Sequence, residues 1–212
     1  VSTFRRVLTV SAAAAVVAVL PACDPDQVGM AVSVGDSRLS VSDLQDRVTE
    51  IVESRNTAID ELELPLPALD PGGDLAELQR QELSRWINRE VYQAAGREQD
   101  VTIHESEVDA FLDEFAAGFP DSDITPFLAE QGYTEDSVRD DVQVALIAER
   151  LTQVLGSQAE VQLLLQDTVE RIGVDVSPRY GTWGIDGLEP GTGSVSVPVD
   201  EDHLDDGGLH DH

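Results

Sequence analysis

The chain has no lysine. All 13 of its basic residues are arginine, set against 42 acidic ones, for a formal net charge of −29. That absence excludes a Schiff-base lysine and the phosphate-holding lysine of a P-loop. The shortage of positive charge also argues against nucleic acid as a partner, because Lys and Arg contacts to phosphate supply most of that affinity. One cysteine in 212 residues leaves no intrachain disulfide. Aromatic residues make up only 5% of the chain while hydrophobic ones reach 41%, a balance that favours helices packed through Leu, Val and Ala.

Catalytic groups are equally scarce. There is no Gly-x-Ser-x-Gly turn, and His104 is the only histidine outside the C-terminal tail, so a histidine-dependent triad would have to use it. His104 sits in Thr102-Ile103-His104-Glu105, which reads as a helix start with a capping-box pattern, where a solvated or capping histidine is expected rather than a base. Acidic pairs such as Asp113/Glu114 and Asp140/Asp141 read as solvated faces at this acid content. Gly181, Gly184 and Gly187 have no helix after them to cradle a phosphate. The terminal run EDHLDDGGLHDH sets three histidines among acids, but its spacing imposes no geometry on a metal ion. The expectation is a protein that is not an enzyme, with no catalytic residue, no metal and no cofactor.

What is present begins at the N-terminus. Arg5 and Arg6 precede an apolar run from Val7 to Leu20, which as a helix spans about 21 Å, short of the roughly 30 Å hydrocarbon core. Residues 1–22 therefore read as a cleaved signal peptide. Its end, Leu20-Pro21-Ala22-Cys23, resembles a bacterial lipobox, and the resemblance implies that Cys23 carries the lipid and becomes the mature N-terminus. Residues 23–28 would be a tether. Two acyl chains anchor stably where one is marginal, and so acidic a chain needs a covalent anchor beside anionic lipid. The expected location is the outer face of a bacterial cytoplasmic membrane.

Farther on, Gly29–Val34 is a strand candidate, Gly35-Asp36 a turn, and Arg38–Ser40 a second extended piece. Ser40 or Ser42 would cap a helix whose stripe is Val41, Leu44, Val48, Ile51 and Val52. Residues 63–73, with three prolines and two glycines, are a loop. Asp74 would cap a second helix carrying Leu83, Trp86, Ile87, Val91, Ala94 and Ala95. Val108, Phe111, Leu112 and Phe115 stripe a third. Residues 118–126 read as a second loop, followed by a short segment ending at Gly132. Thr134 or Asp136 starts the longest helix, Gly156-Ser157 breaks it, and a last helix runs to Gly173. Val174–Val176 is strand-sized. Residues 185–212, acidic and without arginine, read as a disordered tail. The predicted fold is mainly α, about five helices with a small β element joining the N- and C-terminal segments.

The run AVSVGDSRLSVSDL (31–44) resembles the opening of the SurA N-terminal chaperone domain, with its strand, turn, short strand and Ser/Thr-capped helix. Residues 83–95 resemble that domain's second helix, 101–108 the entry to its third, and VDVSPRYGTW (174–183) the segment after its last. The likeness covers 29–184 in order. It implies a SurA N-terminal-like helical domain that binds unfolded or nascent secreted proteins without ATP, as a lipid-anchored chaperone. SurA and PrsA-type foldases often carry a parvulin prolyl isomerase domain; here the fourth and fifth helices meet across Gly156-Ser157 and leave no room for one, so no isomerase activity is expected. Trp86, Phe111 and Phe115 are the candidate client-binding residues, because aromatics make strong anchors when exposed. The rival readings are an envelope adaptor lipoprotein docking one folded partner and an acidic, metal-buffering lipoprotein resting on the tail.

Overall fold

The computed structural model describes residues 29–184 and 187–189. The leader, Cys23, the tether and most of the expected tail lie outside these residues.

The described chain is mainly helical with a small antiparallel sheet. Strand β1 (Met30–Val34) turns at Gly35-Asp36 into β2 (Ser37–Ser40), and α1 (Val41–Leu62) follows directly. Ser40, the last and still extended residue of β2, starts that helix: its hydroxyl accepts the Asp43 N–H at 3.0 Å. This satisfies one of the donors that a helix start leaves without a partner. Leu44, Val48, Ile51, Val52 and Ala58 bury one face of α1. After it, the proline-rich 63–73 loop is held against the helix by Asn56, whose side-chain amide donates to the Leu69 carbonyl at 2.8 Å and accepts from its N–H at 2.9 Å.

Helix α2 (Ala76–Glu98) is the hub, packing on α1, α5, α6 and β1. Asp74 acts one position earlier than expected. Leu75 is the N-cap, and the Asp74 carboxylate accepts the Ala76 N–H at 3.0 Å. Helix α3 (Glu105–Ala116) begins at His104, not at Thr102. The Glu107 carboxylate reaches back to the His104 N–H at 3.0 Å, so the reciprocal pair sits two residues later than the TIHE pattern suggested, because Val101 and Ile103 are buried in the core as extended chain. Among the described residues six α-helices form rather than five. The extra one is α4 (Thr125–Gln131), which takes Pro126 into its first turn, where a missing N–H costs nothing.

Helix α5 (Glu135–Leu155) is capped by Thr134 and ends at Gly156, whose φ of 90° is the left-handed geometry glycine adopts without strain. Ser157 then caps α6 (Gln158–Ile172) through the Glu160 N–H, so the two helices form a hairpin with a two-residue joint. Strand β3 (Val174–Val176) returns to β1, pairing Val32 with Val176 and Val34 with Val174. The sheet order is β2-β1-β3, and β1 is its centre. A second hairpin, β4 (Thr182–Gly184) with β5 (Gly187–Glu189), lies beyond Tyr180. The ordered body thus reaches past 185, where the tail was expected to start, because Leu188 pairs with Trp183 and both pack against the core.

One close approach sets the α2–α5 spacing. Gly96 is buried on α2, and a Cβ placed there would lie 3.1 Å from the Val101 carbonyl and 3.3 Å from Ile147 Cγ2. Gly96→Leu should therefore cost about 2 kcal/mol by overpacking, read as a lower urea midpoint. An unchanged midpoint would show that the two helices can separate freely.

Candidate functional site

Four of the chain's five phenylalanines fall between 111 and 127, and the fold gathers three of them where α3, the Pro120–Ser122 turn and α4 meet. Phe115 lies 5.0 Å from Phe119 and 5.3 Å from Phe127 between ring centroids, edge to face, and Phe119 lies 5.7 Å from Phe127. Each is half-buried. Phe111, one turn before Phe115 on the same side of α3, is 42% exposed. The cluster continues inward: Tyr133 stacks on Phe127 at 6.4 Å, and the Arg85 guanidinium lies 4.1 Å over the Tyr133 ring. Tyr133 donates its hydroxyl to Asp141 at 2.7 Å. Burial and the Asp141 carboxylate both raise the phenol's pKa, so it remains a donor.

Arg85 links this aromatic stack to a group of charges between the helices. Its guanidinium donates to the Gly132 carbonyl at 3.2 Å and approaches Glu82 at 3.5 Å. Glu82 is 2% exposed and accepts one hydrogen bond, from Arg47 at 3.1 Å; among the described residues nothing bonds its Oε2. Burial pushes its carboxyl above the usual range, against the pull of Arg47 and Arg85. Beside it, Arg89 donates to Asp140 at 2.6 Å and to Glu90 at 2.9 Å, and Ser37 on β2 donates to Glu90 at 2.7 Å. Burial raises Asp140 too, outweighing Arg89. For Arg89 burial opposes the charge, but Asp140 and Glu90 prevail and hold its pKa up. Arg47, Glu82, Arg89 and Asp140, with Arg139, line a polar cleft of about 340 Å³ among α1, α2, α3 and the start of α5. Every basic group there faces a carboxylate, an arrangement that orients helices.

Arg55 does a related job for α4, donating to the carbonyls of Ala129 and of Glu130. A guanidinium at the C-terminal end of a helix meets the negative end of its dipole. It seats α4, and with it Phe127, on α1.

The three expected client-binding residues are divided. Trp86 belongs to the core at 6% exposure, packed within the α2 stripe. Phe111 and Phe115 share the α3 surface, and Phe115 is part of the aromatic cluster. Sequence reasoning missed Phe119 and Phe127, which fell in or beside an expected loop. It also missed Glu82, Arg85 and Arg89. Their signal was available: they lie at i, i+3 and i+7 on the face that Trp86 occupies at i+4, a charged series within an apolar stripe. His104 stands exposed at the start of α3, and the histidines of the tail lie outside the described residues. Among the described residues no cluster of three or more His, Cys, Asp or Glu could hold a metal ion, and no helix is long and apolar enough to cross a membrane.

No protein-family model, curated protein or solved structure matches this chain.

Proposed function

We propose that the chain is a lipid-anchored chaperone-like protein of the bacterial cell envelope, tethered through Cys23, that holds unfolded secreted proteins without ATP. The observation that carries this reading is the half-exposed phenylalanine cluster of α3 and α4, with Phe111 at its outer edge. Aromatic rings offer large apolar contact area at little rotamer cost, and Tyr133, stacked on Phe127 with Arg85 over its own ring, backs the cluster on one side. The order of elements from 31 to 183 supports the SurA N-terminal-like reading in the same terms: strand, turn, strand, Ser-capped helix, and a C-terminal strand returning to the first. Client-binding falls to Phe111 and Phe115, joined by Phe119 and Phe127. The reading involves no covalent step, so it assigns no catalytic residue and no cofactor.

The full chain should suppress aggregation of at least two unrelated, chemically unfolded proteins on dilution from denaturant. Phe111→Ser, at an exposed position, should keep the melting temperature and roughly halve the suppression. Suppression of neither client, with tight binding to one folded envelope protein instead, would replace this reading by the adaptor.

A further inference from the structure

The stretch that carries the aromatic cluster is one-sided in charge. Between 98 and 138 the sequence has twelve acidic residues and no arginine. The arginines on either side of this stretch in the fold are already engaged: Arg139 with Glu105 and Asp109 at 3.0 and 2.6 Å, Arg150 with Glu107 at 2.8 Å, and Arg85 with Tyr133 and Glu82. Glu114, three residues after Phe111 on α3, Asp121, two after Phe119, and Glu130, three after Phe127 on α4, are exposed, and among the described residues no arginine lies within ion-pair distance of them. The phenylalanine rings thus have exposed, unpaired carboxylates beside them.

Such a surface discriminates by charge. A carboxylate-bearing segment brought to it meets repulsion, while a segment with Lys or Arg next to its apolar residues gains twice, from the carboxylates and from the faces of the rings. A second copy of this chain is a poor occupant, since two bodies of formal charge −29 repel. We propose that the α3–α4 aromatic surface binds extended segments in which apolar residues are flanked by Lys or Arg. This rests on the chaperone reading above and names the class of client it selects.

The test uses the full chain and three fluorescent peptides with one shared Leu/Phe core, flanked by Arg, Ser or Glu, followed by anisotropy. The Arg-flanked peptide should bind about tenfold tighter than the Ser-flanked one at low salt, with the Glu-flanked peptide weakest. The advantage should shrink towards about 0.5 M salt, where charges farther apart than a few ångströms are screened. Phe111→Ser should weaken the Arg-flanked peptide, and Glu114→Gln with Asp121→Asn should narrow the Arg-to-Ser ratio. Equal affinity for the three peptides overturns the charge selection and leaves the chaperone reading standing, because that reading is tested separately by suppression of aggregation. Binding to none of them overturns the selection as well. A self-associated species in sedimentation that Phe111→Ser disperses would make a second copy the occupant and overturn it too.

Discussion

A chain ended after Gly173 should lose roughly 5 kcal/mol of stability relative to one ended after Glu189. For a body of this size that corresponds to a fall of about 15 °C in melting temperature. The shorter chain removes β3, and β1 becomes an open edge. Val32 and Val34, buried in the sheet, lose their partners Val176 and Val174. The Ala31 carbonyl loses the Ser177 N–H that it accepts at 2.9 Å. Tyr180, 7% exposed, and Trp183 leave the core with it. An unpaired edge carrying alternating valines is also a template for association, so the shorter chain should precipitate on warming. The chain ended after Glu189 keeps every one of these contacts. Equal melting temperatures for the two would mean that the C-terminal strands only lean on a body already stable without them.

The second large effect concerns Glu82. Glu82→Ala should cost about 3 kcal/mol, because it leaves the Arg47 and Arg85 guanidinium groups facing a cavity where a carboxylate stood. Glu82→Gln should be close to neutral at pH 7, since the amide oxygen still accepts from Arg47 while the charge that burial disfavours is gone. The pH dependence separates these accounts. A buried carboxyl whose pKa is raised on folding binds its proton more tightly in the native state. Its charged form then weighs against folding above the raised value, and stability increases as pH falls towards the ordinary carboxylate range. Glu82 and Asp140 both act in this sense. Glu77, Glu107 and Asp123 act oppositely: a hydrogen bond from Arg80, from the His104 N–H and from Thr125, respectively, lowers them. Their contribution is present above the unfolded value and is lost as pH falls through their folded values. Stability should therefore rise as pH falls from 7 towards the ordinary carboxylate range and fall again below it, and Glu82→Gln should flatten that rise. A urea midpoint that falls steadily from pH 7 downward would show that Glu82 is held charged and satisfied in the native state.

Much of the architecture was legible because its local signals are short-ranged. Ser40, Thr134 and Ser157 each supply an oxygen where a helix start has unpaired N–H groups, and Gly156 takes a backbone geometry that other residues resist. The apolar stripes of α1 and α2 face the core as their spacing implied. The stripe of α3 behaved differently. Val108 is buried, Leu112 and Phe115 are half-buried and Phe111 is exposed, because α3 packs on α5 alone among its larger contacts and has no second neighbour to cover its flank. Periodicity specifies which residues share a face; it does not specify how many helices will lie against that face.

The same division separates the two halves of the site. Sequence alone determined that Phe111 and Phe115 are one turn apart on a helix, that the chain has acids in excess and no lysine, and that Val174–Val176 can act as a strand. These follow from the 3.6-residue turn, from composition and from alternation, all properties of a few consecutive residues or of a simple count. Tertiary structure decided the rest. It buried Trp86, brought Phe119 and Phe127 from an expected loop to within about 6 Å of Phe115, and set Arg85 beneath Tyr133. It also enclosed Glu82 between arginines of two different helices. Each of these depends on which surfaces meet across tens of residues, and that choice is made by the sum of many weak packing contacts around α2 rather than by any local signal.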